Sequence, residues 1–212
     1  MDKPVMIFGA NALTSAAIEI FTSNQIEIFG VLDDNKDLQG KEFGEIVVLG
    51  ATKDDGFLKY IGKKAEAFVA SDDNAFRKTL VKMIVEKRKV MPVNAIHSTA
   101  HISKGAAFGH GNFINMGVVV GSDVEIGSHT LIHSGVTIDH GTKLADFVQI
   151  GAGSIISNGV EIKEGAFIGS GVTVVPGIII GKNARVGAGS VVIRNVKDNE
   201  TVFGNPAETI KN

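Results

Sequence analysis

Residues 113–150 read FINMGV-VVGSDV-EIGSHT-LIHSGV-TIDHGT-KLADFV-QI when broken every six residues. The second position of each block is a large aliphatic: Ile114, Val120, Ile126, Ile132, Ile138, Leu144 and Ile150. The period runs on in both directions. From Ile96 to Val192 all seventeen sixth residues are aliphatic or Phe. A helix spaces its apolar residues by three and four and a plain strand alternates them by two, so neither accounts for six. A fixed internal period instead marks repeated units that stack on one another.

The remaining positions describe the unit. Three residues after the aliphatic stands Gly, Asn or Asp in fourteen of the seventeen hexads, the residue types that adopt a left-handed backbone cheaply. One position later the residue is Ala, Val, Ser or Thr in fifteen of seventeen, which predicts a second inward site with room for a small side chain. Short strands joined by corners at constant length wind into a prism. If each corner turns by about 120°, three hexads make one coil. Coils stacked at about 4.8 Å then give a solenoid roughly 27 Å tall.

Ahead of the repeats the pattern alternates strand and helix. Val5–Phe8, Ile26–Leu32, Ile46–Leu49 and Ala67–Ala70 read as strands. Thr14–Thr22, Lys53–Ile61 and Asn74–Lys89 read as helices. Alternation of this kind implies a small parallel sheet with crossover helices. The expected division is an α/β domain over 1–91 and a solenoid over 92–212, with the junction near Met91-Pro92. A dinucleotide-binding turn would need three glycines, and the frame here is Gly9, Asn11, Thr14, which argues against NAD. Ligands of open parallel sheets still sit at the carboxyl ends of strands, where Gly9–Leu13 and Asp33–Asn35 fall. The plain alternative is an ordinary βα turn with solvated acids.

Composition excludes several classes. A net charge of −2 gives no reason to expect nucleic acid or membrane binding. There is no Cys, hence no thiolate zinc site and no Cys nucleophile, and the scattered His residues without an acid cluster indicate no metal. No apolar run approaches a membrane span, and Met1-Asp2-Lys3 does not open a signal peptide, so a cytoplasmic protein is expected.

The hexads resemble the hexapeptide-repeat acyltransferases, whose fold is a left-handed parallel β-helix. Over nearly its whole length the chain resembles the sialic-acid O-acetyltransferase and bacillosamine N-acetyltransferase-like family of sugar acyltransferases. The stretches that carry this are Val31-Leu32-Asp33-Asp34 with Leu38 and Gly40, Val48-Leu49-Gly50, Ile96-His97-Ser98-Thr99-Ala100 and Gly204-Asn205-Pro206-Ala207. The resemblance implies a small Rossmann-like N-terminal domain that binds a nucleotide-linked amino sugar. It also implies a homotrimer with acetyl-CoA, the acyl donor, between neighbouring solenoids. On that reading Asp33 and Asp34 contact the base or ribose, Gly9 and Ala10 face the phosphates, and Asn11 is a further substrate contact. The family turn is richer in glycine than this one.

Acyl transfer to an amine or hydroxyl needs a base for the nucleophile and a donor for the oxyanion. Of six His residues, His140 follows Ile138 where a hexad turns outward, and it falls where the resemblance places the catalytic His. The alternative is a surface His. His133 aligns with a polar position near that site; His97 reads as structural, His110 and His129 as surface or interface, and His101 carries no signal. The family usually has an acid directly after its catalytic His, and Gly141 stands there. Asp139 is adjacent, but neighbours in a strand point oppositely. By resemblance the acetyl-CoA contacts are Gln149, Asn158, Ser170, Ala188, Asn205 and Pro206. The expectation is an N-acetyltransferase of a nucleotide-linked amino sugar. Its rivals are an O-acetyltransferase of a free sugar such as sialic acid, a transferase of a longer acyl group, and a degenerate binding scaffold.

Overall fold

The computed structural model describes residues 3–210 and divides into two compact units, Met1–Ser98 and Thr99–Asn212. The sequence pattern placed the junction at Met91-Pro92. The first unit extends past it because Val93 N donates to Ala67 O (2.8 Å) and the Asn24 side chain donates to Ile96 O (2.8 Å).

The first unit contains β1 (Val5–Phe8), α1 (Ala12–Ser23), β2 (Ile28–Leu32), β3 (Glu42–Phe43), β4 (Ile46–Gly50), α2 (Asp55–Leu58), β5 (Glu66–Val69) and α3 (Asn74–Arg88). The sheet order is β3-β4-β2-β1-β5, parallel except for the antiparallel β3–β4 edge. All four residues of β1 are buried, as expected for a strand covered on both faces. Phe21 of α1 meets Phe68 of β5 edge-on at 5.5 Å, and Ile20, Leu80 and Ile84 complete the apolar layers. α1 begins at Ala12 because Asn11 caps it, forming a reciprocal capping box with Thr14. α3 starts on the Asp73 cap and ends at Lys89, which is left-handed, with Lys87 and Arg88 in its last turn. α2 is much shorter than Lys53–Ile61: Asp54 caps it, and the chain turns at Tyr60, whose carbonyl takes the N–H groups of Lys63, Lys64 and Ala65.

The second unit is the prism that the hexads predict. Its strands are two residues long and pair in parallel at a shift of eighteen, so Val120 pairs with Ile138 and Ile138 with Ile156. Three sheets result. The first face carries the strands at 101–102, 119–120, 137–138, 155–156, 173–174 and 191–192. The second carries 107–108, 125–126, 143–144, 161–162 and 179–180. The third runs from 113–114 through 131–132, 149–150, 167–168 and 185–186 to the closing hairpin Thr201–Phe203 and Glu208–Thr209. The architecture is the left-handed parallel β-helix expected of the sequence.

Both inward columns are present. Ile114, Ile132, Ile138, Ile150, Ile156 and Ile168 are fully buried, and so are the small residues Val118, Val136, Ser154 and Ala166. Corners at Gly117, Gly135, Gly141, Gly153, Gly171 and Asp123 have positive φ. His129 and Phe147 take the same conformation without being Gly, Asn or Asp, and their rings stack across coils at 4.9 Å. Between corners a different glycine column lets coils approach. A Cβ on Gly121 would lie 2.8 Å from His140 N, and one on Gly169 would lie 2.5 Å from Ala188 N.

Candidate active site

In the first unit the strand order reverses beside β1, so the crevice outside its carboxyl end is the expected ligand position. The residues there are already tied to one another. Gly9 N donates to Leu32 O (2.8 Å), and a Cβ on Gly9 would lie 2.5 Å from Ala70 O. Ala10 N donates to Asp33 Oδ2 (2.7 Å), while Asp33 Oδ1 accepts from Asn35 N (2.8 Å). Asp33 therefore bridges the turns after β1 and β2. Asn11 accepts from Leu13 N (2.9 Å) and donates to Ala70 O (2.8 Å). Asp34 Oδ1 accepts from both the N–H and the hydroxyl of Thr52, at 2.9 Å each.

The N–H groups of Gly9, Ala10 and Asn11 are thus all engaged within the unit. Among the described residues, Ala12 N is the one N–H between Gly9 and Thr14 without an acceptor. An anion at Ala10 N would have to displace a carboxylate. The second oxygen of Asp34 is unengaged among the described residues, so that acid retains an acceptor for a ligand.

In the second unit His140 lies on the corner between the first and second faces, with its side chain 62% exposed. Its strand is only Thr137–Ile138, so Asp139 and His140 lie beyond the strand end and the alternation rule does not separate them. Asp139 Oδ1 accepts from His140 N (2.7 Å) and lies 2.8 Å from His140 Nδ1. Those contacts hold the Asp139 carboxyl below its ordinary value of 3.8, the His140 backbone N–H first and the ring second. Nε2 has no partner among the described residues, and a proton on Nδ1, facing the carboxylate, would leave the lone pair there. That is the protonation pattern a general base requires. Gly141 has φ +67°, and a Cβ there would meet open space.

The other named residues fall on separate edges. Asn158 sits one coil from His140 on the same corner, where Gly159 N donates to His140 O (3.1 Å). Ser170 and Ala188, both exposed, stack on the corner between the third and first faces, tied by Gly189 N to Ser170 O (2.8 Å). Gln149 lies in the third face and is only 7% exposed. His133, half-buried, donates its N–H to Ile150 O (3.0 Å), and its ring lies 5.8 Å from that of Phe113. Asn205 and Pro206 are exposed in the closing turn, which Gly204 N anchors to Ser190 Oγ (3.1 Å). His129, expected at the surface or an interface, is buried within the chain. Among the described residues no cluster of three or more potential metal ligands occurs. No helix of the described residues is long and apolar enough to cross a membrane.

The comparisons with known proteins agree with this architecture. A model described as bacterial transferase hexapeptide (six repeats) matches residues 105–140, 129–164 and 159–194. An uncharacterized protein, L142, of Acanthamoeba polyphaga mimivirus is 28% identical over 128 residues, which is 60% of this chain and 24% of that protein. The chain thus spans about a quarter of that curated relative.

Among solved structures, perosamine N-acetyltransferase from Caulobacter crescentus, in complex with CoA and GDP-perosamine, superposes with a TM-score of 0.90 at 28% identity. That match covers 100% of this chain and 99% of the other. The acetyltransferase domain of PglB from Neisseria gonorrhoeae, with acetyl coenzyme A, gives 0.88 at 23% identity over 99% and 100%. WeeI from Acinetobacter baumannii gives 0.82 at 24% identity over 98% and 99%. The last two speak to fold alone. Residues 105–194 of this chain are thus similar to the bacterial transferase hexapeptide repeats.

Proposed function

We propose that the protein transfers an acetyl group from acetyl-CoA to the amine of a nucleotide-linked sugar. The observation that carries the reading is His140: an exposed imidazole with Nδ1 held by a carboxylate and Nε2 free, on a hexapeptide solenoid. The full-length likeness to a protein solved with CoA and GDP-perosamine supports the donor and the acceptor class. Forms of that protein with one histidine replaced by Asn or Ala were solved with the same two ligands.

The chemistry follows from the base. The amine lone pair attacks the thioester carbonyl carbon and a C–N bond forms. The proton leaving nitrogen goes to Nε2 of His140. The tetrahedral oxyanion collapses, the C–S bond breaks, and the CoA sulfur takes the proton back from Nε2. Direct attack needs no acyl-enzyme.

The working unit in this reading is a homotrimer in the cytoplasm. His140 and Asn158 occupy one corner of the prism and Ser170 and Ala188 another, with the first face between them. In this reading the two corners meet on one acyl donor across two adjacent copies. The first face has the character of a contact surface, since Val119 is 41% and Ile155 48% exposed. In the first unit Asp34 and Ala12 N are the groups left for the nucleotide. The O-acetyltransferase alternative needs no such groups.

Thermal unfolding with added ligands tests this. A ligand bound only by the native state at 100 times its Kd adds about 2.7 kcal/mol. Acetyl-CoA and one of the GDP-, UDP- or dTDP-linked amino sugars are expected to stabilise the protein. Stabilisation by acetyl-CoA and free sialic acid alone favours O-acetylation, and stabilisation by none of these ligands contradicts the transferase.

A further inference from the structure

The resemblance leaves one chemical gap: the position after His140, where an acid is expected, is Gly141. An unsupported exposed imidazole distributes its proton over both nitrogens, and half of the problem of a general base is keeping the proton off the working one. The structure fills the gap from the other side. We infer that Asp139, the residue before the base, is the positioning residue that sets the tautomer of His140 and steadies its imidazolium.

Three features support the assignment. A single oxygen, Asp139 Oδ1, accepts from both the backbone N–H of His140 (2.7 Å) and its ring Nδ1 (2.8 Å), so the carboxylate is fixed to the residue it orients. The backbone beneath is fixed too. Asp139 N donates to Ile156 O (2.9 Å) in the next coil, and Gly121 in the preceding coil makes room for His140 N, where a Cβ would lie at 2.8 Å. The geometry also explains Gly141. After Asp139 and His140 the chain turns left-handed (φ +67°), a conformation that glycine adopts at the least cost. An acid before the ring frees the corner position for glycine.

This inference rests on the transferase reading for its kinetics, but its spectroscopy does not. The test uses the full-length protein with Asp139→Ala and Asp139→Asn. The site is exposed, and melting curves verify that both variants fold. With acetyl-CoA and GDP-perosamine as probes, Asp139→Ala is expected to lower kcat by about 10- to 100-fold, part of the 10²–10⁴ a positioned base supplies. KM for either substrate stays within about twofold, because an orienting residue does not touch substrate. Asp139→Asn, which keeps an acceptor but not the charge, loses less.

Without substrate, ¹⁵N NMR of histidine-labelled protein is expected to show the Nδ1–H tautomer of His140 in the wild type. The Nε2–H form is expected to gain in Asp139→Ala. An unchanged tautomer ratio overturns the inference, as does an unchanged kcat in an active enzyme. If the wild type acetylates no nucleotide-linked sugar, the transferase reading fails and the tautomer measurement alone decides the role of Asp139.

Discussion

Gly169→Ala separates the two kinds of glycine in the solenoid. Its φ is ordinary, so the backbone tolerates a side chain, but the new Cβ would lie 2.5 Å from Ala188 N and 2.8 Å from Ala188 Cα, where ordinary contact begins at 3.4 Å. The obstacle is backbone of the next coil, which cannot rotate away. Relief needs a shift of nearly 1 Å between coils joined by Gly169 N to Val186 O and Gly189 N to Ser170 O, both 2.8 Å. Such a shift would weaken one or two ladder bonds at about 0.5–1.5 kcal/mol each, and overpacking itself costs about 1–3 kcal/mol. Stiffening of the unfolded chain returns only about 0.4–1 kcal/mol.

The net loss is thus about 0.5–5.5 kcal/mol with a midpoint near 3, which corresponds to roughly 6–12 °C in Tm for a chain of this size. Gly153→Ala is the control. There φ is +68° and the Cβ meets open space, so the penalty is the left-handed backbone alone. Gly153→Asn is expected to cost less than Gly153→Ala, because Asn visits that region more readily. Calorimetry at one protein concentration decides the order. If Gly169→Ala melts within 1 °C of the wild type, or above Gly153→Ala, the close-approach argument for the coils is refuted.

Asn11→Ala removes the cap on Leu13 N and the tie to Ala70 O; it is expected to cost about 1–2 kcal/mol, read as a fall in Tm. The Glu200 carboxyl is held below its ordinary value of 4.5 by the Thr209 hydroxyl first and Lys197 N–H second. Its folded value is depressed, so its contribution to the closing hairpin is full above pH 4.5 and is lost as pH falls through the lowered value. The amide protection factors of the Thr201–Thr209 hairpin, exchange rates corrected for the intrinsic pH dependence, are therefore expected to fall on acidification in the wild type and to depend less on pH in Glu200→Gln.

The hexads made the solenoid legible because one aliphatic, one corner and one small residue recur in every unit. What they did not reveal lies where the local rule is overridden. His129 and Phe147 read as poor corner residues, yet the ladders above and below impose the left-handed turn and their rings stack to accommodate it. Gly105 and Asn195, which read as left-handed corners, are not; they sit toward the two ends of the run. In the first unit the β3–β4 hairpin escaped notice because β3 is only two residues long. Its signal was Gly44, left-handed in a two-residue turn.

The site was half legible. Position in the hexad located His140, but periodicity says nothing of which side chains bond. The Asp139 contact depends on the strand ending at Ile138, one residue earlier than an alternating strand would need. Asp33 reads as a ligand contact from its place at a strand end; that its two oxygens also join Ala10 N to Asn35 N is a pairing between turns that no spacing in the chain announces.

The central claim is that His140 is the base for acetyl transfer to a nucleotide-linked amino sugar. Its most direct test is the initial rate of acetylation of GDP-, UDP- and dTDP-linked amino sugars by acetyl-CoA, followed by mass spectrometry, for the wild type and His140→Ala. At least one acceptor is expected to be acetylated by the wild type, with His140→Ala slower by about 10²–10⁴. Equal rates for the two proteins, or no acetylated product from any acceptor, would contradict the account.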